Sequence, residues 1–309
     1  MTQSLKLVSA FAVALLMGNI AVWAALQGHS AAAPAPTAIF STEKVELRTG
    51  DGVSLDGVLY RPSAHPRATA ILLVHGFGSN FYSGYFPLFA HMAAEQGYTT
   101  LSLNMRDHDT GPKVADFSDN EADIGTGCAY LRRQGHSRLV LLGQSMGTNR
   151  ILYYQAMSRD SSIVATVLVA GPGNLFEWNV WQFGRAKAQA SVDEALSMQA
   201  GGHEQELMLV DLGPLGKTLY TPRYLLSLRG PNAWSDPYRN IQKVTNPILI
   251  IQETADKLVK PGVPERLRRA ATSNSKVELI YVRGTDHSFK NHGDVLVQRI
   301  LAWLKEVNP

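Results

Sequence analysis

Apolar strand-like runs alternate with helix-like segments along this chain, and that alternation restricts its fold more than any other feature. Ala70–Val74 is a continuous apolar run ending at His75-Gly76, as expected of a strand buried on both faces. Helical periodicity follows over Tyr85–Gln96 and stops at Gly97. Then come strand Thr99–Leu103, helix Asp119–Gln134 closed by Gly135, strand Leu139–Leu142, helix Met146–Met157 and strand Val164–Ala170. After a gap the rhythm resumes with strand Pro247–Gln252, helix Pro264–Ala271, strand Val277–Val282 and helix Gly293–Val307. This order predicts an α/β fold, a mostly parallel sheet flanked by helices on both faces. Upstream, Val45–Arg48 and Val53–Tyr60 read as extended segments joined by a turn at Gly50-Asp51-Gly52.

The gap, about residues 173–238, is rich in Gly, Pro, Trp and Met. An interruption of this size inside a regular α/β pattern is expected to be an inserted, mainly helical cap. It should emerge at the carboxyl edge of the strands, where open α/β sheets bind ligands. Trp178, Trp181 and Trp234 lie within it and are candidates to line an apolar substrate pocket. Packing into a small core of the cap itself is the competing role for them.

The N-terminus carries a separate signal. Lys6 precedes an uncharged, mostly apolar run, Leu7–Leu26, and an Ala/Pro-rich tract continues through Thr37. A basic start, an apolar segment and small residues beyond it describe an export signal. The run is also long enough to span a bilayer as a helix, so retention as a membrane anchor stays open beside cleavage. In either case the folded part, 39–309, is expected outside the cytoplasm (periplasmic, secreted or membrane-anchored), with 1–38 serving as signal or anchor plus linker. The formal net charge is only +3, without a block of like charges, which gives no footing to nucleic-acid binding. Cys128 is the single cysteine, so no intramolecular disulfide forms, and its place on a core-facing helix predicts a buried thiol.

The strongest local motif is Gly143-Gln144-Ser145-Met146-Gly147, set between a buried strand and a helix. It has the G-x-S-x-G form of a nucleophile elbow, which holds a serine on a strained turn. A serine hydroxyl is a weak nucleophile without a base to remove its proton. The base is expected late in the chain, after the last strand, where Gly284-Thr285-Asp286-His287 stands. His287 is the candidate, and His292, nearer the last helix, the competitor. A carboxylate must orient the imidazole. Asp256, just past strand Pro247–Gln252, completes the order serine, acid, histidine, with Asp286 and Glu253 as rivals. The backbone N–H groups of Met146, directly after the serine, and Phe77, in the loop after Ala70–Val74, are the candidate oxyanion donors. His75 is expected to bond loop backbone.

Together, His75-Gly76-Phe77-Gly78, Gly143-Gln144-Ser145-Met146-Gly147, Asp256 with Val259, and Gly284-x-x-His287 resemble the α/β-hydrolase superfamily, in its serine-nucleophile, esterase- or lipase-like branch. The resemblance covers about residues 40–307. Arg106-Asp107-His108-Asp109 is similar to the family's Arg-Gly-His-Gly turn, with aspartates in place of both glycines. The resemblance implies a serine hydrolase acting on a small-molecule carboxylic ester through an acyl-enzyme. An amidase, peptidase or thioesterase would share the triad, and a non-catalytic binding protein on this fold is the reading from another class. No cofactor is implied, since there is no phosphate-cradling Gly-rich loop, and no metal site.

Overall fold

The computed structural model describes residues 39–289 and 291–309, so the N-terminal signal or anchor and its linker, 1–38, lie outside the described residues. Strands β1 (Phe40–Arg48) and β2 (Ser54–Pro62) pair antiparallel across the Gly50–Gly52 turn. The alternating core then runs β3 (Thr69–Val74), α1 (Phe86–Glu95), β4 (Thr99–Leu103), α2 (Asn120–Arg133), β5 (Arg138–Gln144), α3 (Met146–Ser158) and β6 (Ile163–Val169). An insertion follows, made of α4 (Leu175–Phe183), α5 (Arg185–Ala200), strands β7 (Met208–Asp211) and β8 (Lys217–Tyr220), α6 (Pro222–Arg229) and α7 (Pro237–Asn240). The core resumes with β9 (Ile248–Glu253), α8 (Val263–Ala270), β10 (Val277–Val282) and α9 (Gly293–Val307).

Eight strands form one sheet in the order β1-β2-β4-β3-β5-β6-β9-β10. Every pairing from β4 to β10 is parallel, and only β1 and β2 run against their neighbours. Burial explains the register. Along β3 all six residues are buried, and alternate side chains serve opposite faces. Leu72 and Val74 join Ile124, Leu131, Ile151 and Leu267 in the core under α2, α3 and α8. Ile71 and Leu73 join Phe86, Phe89, Ile300 and Leu304 under α1 and α9. Strand β2, between the edge strand β1 and β4, instead alternates buried and half-exposed positions, as expected where only one face is covered. Cys128 is fully buried in the first of these cores, where burial pushes its thiol up to about 12.

The insertion carries a third core, with Met208, Val210, Tyr220, Tyr224 and Leu228 packed against Phe117 and Met146. Among its helices it also carries a short β7–β8 hairpin, which the sequence pattern did not show. Each strand has only four residues, too few for alternation to register against the flanking helices.

A buried ion pair ties the insertion to the sheet. Arg150, on α3, donates from Nη1 and Nη2 to the two oxygens of Asp107, at 2.6 and 3.0 Å. Tyr224, on α6, donates its hydroxyl to the same carboxylate at 2.6 Å. Burial opposes the Asp107 charge, but Arg150 and these hydrogen bonds hold its carboxyl far below the usual range. Removing one partner strands a buried charge, which costs about 3–5 kcal/mol, whereas apolar replacement of both is much cheaper. Urea unfolding should therefore show a loss of that size for Asp107→Ala and a smaller one for Asp107→Leu combined with Arg150→Met. A single-variant loss below about 1 kcal/mol would refute the coupling.

Candidate active site

Ser145 sits where β5 turns into α3. Its φ and ψ are 52° and −125°, a strained region for a residue with a side chain. Steric confinement enforces the turn. A Cβ at Gly147 would lie 2.2 Å from the carbonyl oxygen of Val74, and one at Gly143 would lie 2.5 Å from the backbone of Gly147. The Ser145 N–H donates to Val169 O at 2.8 Å, so the turn is also fastened to β6.

The hydroxyl of Ser145 lies 3.0 Å from His287 Nε2, and His287 Nδ1 lies 2.9 Å from Asp256 Oδ2. A carboxylate can only accept, so Nδ1 carries the proton and Nε2 presents its lone pair to the serine. Asp256 also accepts from Gln252 Nε2 at 2.9 Å and from the N–H groups of Leu258 and Val259 at 2.7 and 3.1 Å. Burial works to raise the Asp256 carboxyl, but the hydrogen bond and charge of His287 and these further donors together hold it below its ordinary value. The three residues are thus brought together from positions 142 and 31 residues apart.

The rivals occupy other places. Asp286 accepts from Ser288 N and Oγ, and His292 stands at the N-cap of α9. Glu253 accepts from Gln252 Nε2 at 3.1 Å and makes no bond to the imidazole. His75 accepts from Met105 N–H at 3.0 Å through Nε2 and faces Gly76 O at 2.8 Å through Nδ1. Burial, reinforced by the Arg150 charge, drives its pKa down to about 3, so it is a neutral pin for the loop.

A cavity of about 200 Å³ opens over Ser145. Gly76, Phe77, Met146 and His287 form one part of its wall, and Leu175, Trp178, Leu215 and Arg229 of the insertion form another. Met146 is the first residue of α3, so its N–H has no acceptor within the helix. Among the tryptophans singled out in the sequence, Trp178 lines the cavity and donates from Nε1 to Leu258 O at 2.6 Å. Trp181 and Trp234 do not line it. They are 37% and 44% exposed, and Trp234 borders a separate groove with Asp116 and Arg223.

The alpha/beta hydrolase family model matches residues 71–298. The chain belongs to that family. Among solved structures it is similar to an esterase from Pyrococcus furiosus (19% identity, TM-score 0.61, covering 86% of this chain and 91% of that one). It is also similar to the Est1E protein of Butyrivibrio proteoclasticus (17%, TM-score 0.63, 85% and 98%) and to DcsB, solved with a substrate analogue (17%, TM-score 0.68, 86% and 99%). No curated protein sequence matches the chain significantly.

Two features of this alpha/beta hydrolase site escape sequence reasoning: the place of Arg229, and the buried state of Glu253, which the sequence offers only as a rival acid. Arg229 reaches the cavity from the end of α6, and nothing in its local sequence marks it. Glu253, at the end of β9, is only 3% exposed. Burial first, then the neighbouring Asp256 charge, push its carboxyl up to about 9. The folded protein therefore keeps a proton there that the unfolded chain releases near 4.5. Stability from this group is intact below about pH 4.5 and drains as pH rises through about 9, by at most about 1.4 kcal/mol per pH unit. Glu253→Gln, an uncharged isostere, should lose that slope, so its melting temperature should gain on wild type from pH 5 to 9. Curves that stay parallel across that range would disprove the buried protonated acid.

Proposed function

We propose that this protein hydrolyses small carboxylic esters through a covalent acyl-enzyme on Ser145. The observation that carries the reading is the continuous relay from Ser145 Oγ through His287 to Asp256, at 3.0 and 2.9 Å. As Oγ attacks the ester carbonyl, His287 Nε2 takes its proton and the imidazolium is held by Asp256. The carbonyl oxygen gains charge at the N–H groups of Phe77 and Met146, each such donor supplying on the order of 3 kcal/mol in the transition state. The Nε2 proton then passes to the leaving alcohol. Water attacks the acyl-enzyme with His287 again as base, releasing the acid and restoring the serine.

The cavity favours a small substrate. Its volume of about 200 Å³ is below the roughly 300–1,000 Å³ of pockets that enclose drug-sized ligands. Residues from the insertion face Ser145 across it, which supports a cap role and the exclusion of bulk water during transfer. The leader-like composition of residues 1–38 supports action outside the cytoplasm, which fractionation of the expressing cell would test.

Turnover of 4-nitrophenyl acetate and butyrate tests the mechanism. Ser145→Ala and His287→Ala should each lower kcat by about 10⁴–10⁶-fold, and Asp256→Asn by somewhat less. Undiminished activity in Ser145→Ala would exclude the acyl-enzyme. Wild-type-like Asp256→Asn would move the acid role elsewhere.

A further inference from the structure

Arg229 is a cavity side chain with a buried nitrogen that lacks a hydrogen-bond partner. It is 4% exposed and lines the same space as Ser145 and His287. Its Nε donates to Asn179 Oδ1 at 3.3 Å, while Nη1 is buried without a hydrogen-bond partner. No carboxylate pairs with it among the described residues; its other neighbour is Tyr220, whose ring lies 5.8 Å away and whose hydroxyl also interacts with the guanidinium. The cavity wall contains no aspartate or glutamate, and besides Arg229 its only ionisable side chain is His287.

Arg150 shows how this fold treats an arginine whose role is structural. It is equally buried, yet its guanidinium grips Asp107 with two bonds and Asn120 with a third. Arg106 likewise contacts Asp51, Asp119 and Asp123. A guanidinium has five donors in a fixed fork that suits a carboxylate, and leaving it buried and unpaired is costly. A cation kept in that condition, in a cavity wall that offers it no carboxylate, is suited to receive an anion.

We infer that Arg229 is the anion-binding subsite of this cavity, and that the ester hydrolysed carries a free carboxylate at the end remote from the reacting bond. This inference rests on the hydrolase reading above, and it adds the substrate class. In the bound state the guanidinium fork takes the carboxylate, the apolar surfaces of Leu175, Trp178 and Met146 enclose the carbon chain, and the ester carbonyl is held at Ser145. A neutral ester of the same length leaves the Arg229 donors unpaired, and a site whose buried polar groups are left unpaired discriminates strongly.

Two ester pairs that differ only by a terminal methyl or carboxylate provide the test. Ethyl pentanoate against monoethyl glutarate places the charge on the acyl side, and pentyl acetate against 5-acetoxypentanoate places it on the alcohol side. Wild type should favour the carboxylated member of at least one pair by tenfold or more in kcat/KM. Arg229→Met should reverse that preference, chiefly through KM, and Arg229→Lys should keep part of it. Because Arg229→Met removes an unpaired buried charge, its melting temperature should hold or rise.

Preference for the neutral ester in both pairs, or an unchanged ratio in Arg229→Met, overturns the proposal. A fall in both members alike would make Arg229 a general contributor to the site and overturn it too, as would a lower melting temperature with an unaltered ratio. If wild type turns over none of the four esters, the hydrolase reading fails separately. Calorimetry with pentanoate, against pentanol, then decides on the anion site alone. Millimolar pentanoate binding that disappears in Arg229→Met supports it, and no binding to wild type overturns it.

Discussion

The geometry of this molecule depends on one close approach, the packing of the first turn of α3 against β3 and β5. Gly143 and Gly147 bring backbone to backbone at distances that a methyl group would violate. This contact fixes where α3 begins, and with it the unusual dihedrals of Ser145. Strain of this kind persists only where the surroundings over-determine it. Here they do so through buried neighbours on both sheet faces and through the bond from Ser145 N–H to Val169 O. Everything placed by α3 inherits that precision, including the Met146 amide at its first position and Arg150 one turn further on.

Arg150 extends the constraint outward. Through Asp107 it fixes the loop after β4, and through the Tyr224 hydroxyl on the same carboxylate it fixes α6. The helix that carries Arg229 is therefore referenced to the same element as Ser145, by a chain of buried polar contacts. The aspartate at 107, found where the family's turn has glycine, supplies the carboxylate on which this link depends. Nothing in that turn names a partner for it, and only the fold shows that α3 points a cation at it.

What the sequence revealed follows the same physics. Elements with strong periodicity were legible almost to the residue: Gly293–Val307 coincides with α9, and β3, α1 and β4 fall within a residue of the expected ranges. Ser145, Asp256 and His287 stand out because each follows a strand and because chain order limits the choices. Trp181 and Trp234 were misleading as pocket residues. Aromatic content in an insertion announces burial without saying against what, and both side chains remain partly exposed. The cavity position of Arg229 and the buried state of Glu253, which the sequence offered only as a rival acid, were illegible for a different reason. Their properties arise from a missing partner and from burial, which no local pattern encodes.

Two carboxylates one turn apart, Glu253 and Asp256, illustrate how the fold assigns roles without changing residue type. Both lie in the same dry corner, and neighbouring like charges there cannot both ionise at neutral pH. Asp256 receives two backbone N–H donors, Gln252 and His287, so the negative charge settles on it. Glu253 receives Gln252 alone, with Oε1 buried and unpartnered, and keeps its proton. Donor count, rather than position along the chain, thus selects the acid that faces His287. The same accounting, applied to cations, separates Arg150 from Arg229. A buried cation gripped by a carboxylate holds the structure together, and one without a carboxylate lines the cavity over Ser145.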